Sequence, residues 1–120
     1  MKTVLVVDDN ANLRLLMRLT LGKEFHVAEA CEGASALAYM LRTPPDAVLL
    51  DVMMPGPIDG LQVLSNIKSN PRLKDIPVAM VTARGQSADY RAGIAMGADA
   101  YFIKPFSPLQ LVSWVREVIQ

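Results

Sequence analysis

Three aspartates, a threonine and a lysine stand where short apolar runs give out, and together they could manage a transferable anion. Asp8-Asp9-Asn10 follows Val4–Val7, Asp51 follows Val48–Leu50, Thr82-Ala83 follows the run ending at Val81, and Lys104-Pro105 follows the run ending at Ile103. Carboxylates brought together repel, and each costs free energy unless it is protonated or paired. A hard divalent cation with oxygen ligands answers that need. Mg²⁺ is usually held by one or two carboxylates and keeps its other positions for water and phosphate. With one His and one Cys in the chain, a zinc site has no second soft ligand. Lys104 supplies a compact charge for the non-metal side of an anion, and Thr82 a hydroxyl donor. Metal, ammonium and hydroxyl would together stabilise a phosphoryl group in transit, leaving one carboxylate to attack in line. Asp51 is the candidate nucleophile, because it lies between the acidic pair and Lys104. Asp8 and Asp9, adjacent in one loop, suit metal ligation.

The elements that must bring these residues to one place are legible as an alternation. Strand-like runs at Thr3–Val7, His26–Ala30, Ala47–Leu50, Pro77–Val81 and Ala100–Ile103 alternate with amphipathic stretches, the pattern of a parallel sheet covered by helices. The first, third and fourth runs are almost wholly apolar, as central strands buried on both faces require, and the mixed His26–Glu29 suits an edge. Asn12–Leu21 forms a helix with Leu13, Leu16, Met17 and Thr20 on one side, and Gly22 offers a left-handed stop. Gly33–Arg42 ends before Pro44-Pro45. Asp59 caps a helix from Gly60 to about Ser69. Ser87–Met96 is a weaker helix, interrupted by Gly93 and closed by Gly97. Ser107-Pro108-Leu109-Gln110 combines an N-cap, a first-turn proline and a capping-box Gln, opening a last helix whose stripe is Leu111, Val112, Val115, Val118 and Ile119. The fold class is therefore α/β, a doubly wound sandwich of five parallel strands with right-handed crossovers. In such sheets ligands bind beyond the carboxyl ends of the strands, which selects the five polar residues above. A strand order 2-1-3-4-5 is one common solution, although periodicity alone does not choose it.

Composition bounds the rest. At 120 residues and 52% hydrophobic content, residues 1–120 make one domain. Twelve basic side chains balance twelve acidic ones, so no overall field favours nucleic acid or an anionic membrane. No apolar run approaches the roughly 20 residues of a membrane span, and Met1-Lys2-Thr3 passes straight into a strand, so the cytoplasm is the expected compartment. Lone Cys31 reads as a small packed side chain. His26, the Met53-Met54 pair and Trp114 read as structural, Asp59 as a cap, and Asp75 and Asp99 as solvated or turn residues.

Five motifs in order, Val6-Val7-Asp8-Asp9-Asn10, Asp51 with Met54-Pro55 and Asp59-Gly60, Val81-Thr82-Ala83, Gly97-Ala98-Asp99-Ala100-Tyr101 and Lys104-Pro105-Phe106, give the chain a full-length resemblance. It resembles the receiver domain of two-component response regulators. The resemblance implies a flavodoxin-like (βα)5 sandwich of order 2-1-3-4-5. It implies Asp51 as phosphoacceptor, Asp9 as a direct Mg²⁺ ligand, Asp8 as a direct or water-mediated one, and the Met53 carbonyl as a further oxygen. Thr82 and Lys104 would bind the phosphoryl oxygens, Tyr101 would turn inward on activation, and the Lys104-Pro105 bond would be cis. The implied protein is a signalling receiver that catalyses only its own phosphorylation and dephosphorylation. Its implied partners are a sensor histidine kinase or histidine phosphotransfer protein and an output domain or effector. They meet the face made by the Ser87–Met96 helix, the fifth strand and the last helix, which also leaves room for a homodimer. Direct binding of nucleic acid or membrane is not expected.

Two departures stand out. The segment Met53–Gly60 is one residue longer than the usual family spacing, and Met53 and Arg84 occupy positions that influence phosphoryl lifetime in the family. A phosphohydrolase of the haloacid-dehalogenase type is disfavoured because its second carboxylate would fall at Met53. A degenerate, docking-only receiver is disfavoured by the complete set of Asp8, Asp9, Asp51, Thr82 and Lys104. Flavodoxin-like cofactor binding lacks a phosphate loop after the first run. Gln120 falls where the last helix finishes, an end that suits either a stand-alone regulator or the first domain of a longer one.

Overall fold

The computed structural model describes residues 1–83 and 87–119. Strands and helices alternate as β1 (Thr3–Val7), α1 (Ala11–Leu21), β2 (His26–Ala30), α2 (Gly33–Arg42), β3 (Ala47–Asp51), α3 (Gly60–Ser69), β4 (Val78–Ala83), α4 (Ser87–Ala95), β5 (Ala100–Lys104) and α5 (Pro108–Ile119). All neighbours in the sheet are parallel and the order is β2-β1-β3-β4-β5. The mixed run His26–Ala30 lies at one edge, as its composition requires, and β5 forms the other.

Alternation along the central strands feeds two cores. Leu5, Val7, Val48, Leu50, Val78 and Met80 pack with α2 and α3 residues such as Met40, Leu64 and Ile67 on one face. Val4, Val6, Leu49 and Ala79 pack on the other with Met17 and Leu21 of α1 and Leu111, Val115 and Ile119 of α5. Both faces of β1 and β3 are thereby covered, which is why these strands read as unbroken apolar runs.

Several boundaries differ from the sequence reading. β4 begins after Pro77, which has no N–H to give, and continues through Thr82 and Ala83 because these pair with Ile103 and Lys104 of β5. Asp51 and Lys104 are likewise the last residues of their strands rather than the first beyond them. Gly22 is right-handed, with φ −65°, so it ends α1 without the left-handed turn expected of it. Leu16 is 42% exposed, and the buried side of α1 is carried by Met17 and Leu21. α4 runs through Gly93 without a break and stops at Ala95. Its end is a Schellman turn: Gly97 takes φ +99°, while the N–H groups of Gly97 and Ala98 donate to Ile94 and Gly93. Cys31 is exposed between β2 and α2 instead of packed. Asp99 is no mere turn residue, since its Oδ2 accepts from the Val78 N–H at 2.8 Å and from Lys68 at 3.2 Å, tying the turn before β5 to the start of β4.

The start of α3 bears most directly on the rim of the sheet. Asp59 accepts from the Gln62 N–H at 2.9 Å and its own N–H donates to the Gln62 side chain, a complete capping box. Gly60 then donates to the Val52 carbonyl at 2.9 Å, laying the helix start on the end of β3. A Cβ there would stand 2.0 Å from the Asp51 carbonyl oxygen and 2.7 Å from Val52 Cα, both backbone atoms that cannot step aside. Gly60→Ala should therefore lower unfolding stability by about 3 kcal/mol despite alanine's higher helix propensity, measured as the shift in urea midpoint. A stabilised or unchanged variant would mean that α3 is free to move away from Asp51.

Candidate functional site

The rim is built from strand ends. Asp8 leaves β1 with its N–H donating to the Ala30 carbonyl at 3.1 Å, which pulls it into the sheet edge, and only 3% of it is exposed. Its Oδ1 accepts from the Asn10 N–H at 2.9 Å and its Oδ2 faces Lys104 Nζ at 3.3 Å. Asn10 in turn caps α1, its Oδ1 accepting from the N–H groups of Asn12 and Leu13. Asp51, 4% exposed, has Oδ1 3.3 Å from the Met53 N–H and Oδ2 3.5 Å from Lys104 Nζ. Thr82 is buried on the neighbouring strand, and Asp9 is exposed above the pair. The Lys104-Pro105 peptide bond is cis.

Asp8, Asp9 and Asp51 bring carboxylate oxygens within 4.8 Å of one another. Ionised, these carboxylates and the ammonium of Lys104 leave a net charge of about −2 at a rim where Asp8 and Asp51 are nearly shielded from solvent, which is costly as it stands. Burial first, and then the Asp8 charge, push the Asp51 carboxyl up from its ordinary 3.8 to about 6, against the opposing pull of Lys104 and the Met53 N–H. An all-oxygen donor set with that excess charge fits a hard divalent cation such as Mg²⁺.

Other candidates are placed as follows. Tyr101 packs its ring against Gly93, where a Cβ would come within 3.0 Å of the ring edge, and its hydroxyl oxygen is shielded from solvent. The Met53 side chain is 59% exposed, so it takes no part in packing the site. Met54 is partly buried against the α2–α3 core. The long segment after β3 turns at Gly56, with φ +98°, where a Cβ would lie 3.2 Å from the Glu32 carboxylate. Arg84 lies outside the described residues. Sequence reasoning missed Arg14, whose Nη1 donates to the Asp8 carbonyl at 2.7 Å. The only signal for it was a basic residue one turn into a helix that begins at the acidic loop.

The raised Asp51 value has a stability consequence. Its folded form binds a proton more tightly than its unfolded form, so Asp51's own contribution to stability falls as pH rises from about 4 through about 6. Asp51→Asn keeps an oxygen for the Met53 N–H and removes the charge. In metal-free protein at pH 7.5 it should stabilise by on the order of 1–3 kcal/mol, read as a higher Tm. The gain should shrink near pH 5 and on adding Mg²⁺. A variant less stable than wild type at pH 7.5 would show that the carboxylate is net favourable where it sits.

A family model of the response regulator receiver domain matches residues 4–116. The chain is 40% identical over 118 residues to the transcriptional regulatory protein ResD of Bacillus subtilis, covering 98% of this chain and 48% of that protein. It is 38% identical over 120 residues to the phosphate regulon transcriptional regulatory protein PhoB of Escherichia coli, covering 99% and 52%. The crystal structure of the receiver domain of NtrX from Brucella abortus superposes with a TM-score of 0.88 at 31% identity, covering 97% of each chain. The chain thus spans about half the length of curated relatives such as ResD and PhoB. Its sheet order, its rim of strand-end aspartates and these matches agree: the chain belongs to the receiver domain family of two-component response regulators.

Proposed function

We propose that this domain accepts a phosphoryl group on the Asp51 carboxylate from a phosphohistidine of a sensor kinase or phosphotransfer protein, and changes the surface it offers to an output partner. The observation that carries this reading is the setting of Asp51, buried beside Asp8 and Asp9 with Lys104 Nζ 3.5 Å from its outer oxygen. In the transfer an Asp51 oxygen forms the new P–O bond while the P–N bond to the donor imidazole breaks and its electron pair leaves with the nitrogen. Asp8, Asp9, Asp51 and the Met53 carbonyl would hold Mg²⁺, which when bound supplies charge neutralisation for the carboxylates and the phosphoryl oxygens. Lys104 balances the remaining charge as an ammonium point donor, and Thr82 donates its hydroxyl to a phosphoryl oxygen. Burial keeps competing water from Asp51.

The output reading assigns α4, β5 and α5 as the partner face. Ile94, Met96, Ile103 and Leu109 are exposed there, at 46%, 38%, 50% and 76%. The names of ResD and PhoB as transcriptional regulators support an output domain joined to this one in a longer chain, and a second copy docking on the same face is the other arrangement. Among the described residues no helix is long and apolar enough to cross a membrane, and we place the exchange in the cytoplasm.

Incubation with acetyl phosphate and Mg²⁺ should add one phosphoryl group to wild type and none to Asp51→Asn, measured by intact mass. Equal labelling of both proteins would remove Asp51 from its role. Thr82→Ala should still accept the group, since neither the nucleophile nor the metal ligands change. With beryllofluoride as the phosphoryl mimic, however, it should show much smaller chemical-shift changes around Tyr101 than wild type. Full-sized shifts in the variant would mean that the signal bypasses Thr82.

A further inference from the structure

Arg14 lies one turn above the Asn10 cap, its N–H bonded to the Asn10 carbonyl at 3.1 Å. Side chains on a helix lean toward its N-terminus, so a long one at this position folds back over the loop that precedes the helix. There Arg14 Nη1 donates to the Asp8 carbonyl at 2.7 Å, while its Nε donates to Glu29 Oε1 at 3.1 Å. Glu29 stands on the edge strand β2 and uses its second oxygen for Arg18 Nη1 at 2.8 Å. The Arg14 side chain is 19% exposed and Glu29 26%, so this fork is more sheltered than Arg18, at 54%. It also offsets the repulsion of two like charges spaced four apart on one helix.

We infer that Arg14, held by Glu29, is a positioning residue for the metal-binding loop: by gripping the Asp8 carbonyl it sets the plane of the Asp8–Asp9 peptide and so the direction in which Asp9 presents its carboxylate. This inference rests on the proposed Mg²⁺ role of that loop. The peptide unit is rigid, so fixing its carbonyl fixes the opposed N–H and the start of the next residue. Asp8 has three further anchors, at its N–H and both carboxylate oxygens. Exposed Asp9 depends on the backbone to aim it. A planar guanidinium can serve the carbonyl and the carboxylate at once from a fixed fork, which an ammonium cannot reproduce.

Charge and geometry predict opposite outcomes, which makes the assignment testable. If Arg14 acted on the site only as a nearby cation, Arg14→Ala would bind Mg²⁺ more tightly and Arg14→Lys would match wild type. As a positioning residue, Arg14→Ala should weaken Mg²⁺ binding about tenfold, the lower end of what loss of an outer-shell partner costs. Arg14→Lys should recover little of that. Arg18→Ala, which shares Glu29 but does not touch the loop, should stay within about twofold. The full chain is titrated with Mg²⁺ alone, read from the amide signals of Asp9 and Asn10, with Tm recorded separately because a purely structural role would lower Tm and leave affinity unchanged. Unchanged or tighter binding by Arg14→Ala, or wild-type affinity in Arg14→Lys, overturns the inference, and the lysine variant decides alone should the alanine variant not fold. A wild type that binds no Mg²⁺ overturns the metal assignment as well, whereas a binding wild type with indifferent Arg14 variants sinks the positioning role alone.

Discussion

Two carboxylates buried side by side at the carboxyl edge of the sheet, Asp8 and Asp51, are the constraint around which the rest of the molecule is arranged. Neither would be tolerated in an apolar interior, and together they are worse: burial, and then the Asp8 charge, push the Asp51 carboxyl up to about 6. The fold meets this cost from several sides. β1 and β3 are adjacent, so their ends bring the pair together, and β5 delivers Lys104 between them from the far edge. Backbone N–H groups of Asn10 and Met53 take one oxygen from each. The compensation stops short of neutrality, and that remainder is what suits the corner to a divalent cation.

Rigidity around the pair is uneven. Asp51 is fenced by backbone: Gly60 presses on its carbonyl with no room for a side chain, and the capping box at Asp59 holds the helix that brings Gly60 there. The Asp8–Asp9 turn, besides its backbone anchors at Ala30 and Asn10, is tethered by side chains reaching in from α1 and β5. The backbone fence suits Asp51 to the nucleophilic role proposed for it, since an attacking oxygen would tolerate little displacement.

Much of this was legible because each strand carries its own punctuation. Apolar runs that end in Asp, Thr or Lys announce the rim, and Asp59, Ser107 and Gly97 mark helix ends by local chemistry that the structure reproduces. What escaped the sequence depends on distant partners. β4 lengthens through Thr82 only because β5 pairs with it, and α4 runs through Gly93 where the Tyr101 ring packs against it. Asp99 gains its two bonds from Lys68 and Val78, 31 and 21 residues away. Arg14 finds Glu29 across 15 residues of chain. Cys31 illustrates the converse: its type predicts burial, yet its place beyond the end of β2 exposes it.

The extension of β4 also bears on how charge at Asp51 could reach a distant face. Driving a two-state switch from 1:99 to 99:1 takes about 5.5 kcal/mol of differential stabilisation, and one charge-assisted hydrogen bond contributes about 1.5–3 kcal/mol. A Thr82 hydroxyl acting alone therefore falls short. Because Thr82 is inside the β4 ladder, moving it toward an anion on Asp51 strains its pairing with Ile103, and Met80 two residues earlier pairs with Tyr101. Lys104, the residue after Ile103, would answer the same anion directly, because it already stands beside both buried carboxylates. In the proposed switch Thr82 and Lys104 would thus pull on one strand, β5, from its neighbour and from its own end. That strand carries Tyr101 and exposes Ile103, so the two proposed contacts at the pocket would converge on one edge of the sheet, and their sum would approach the differential that a switch requires.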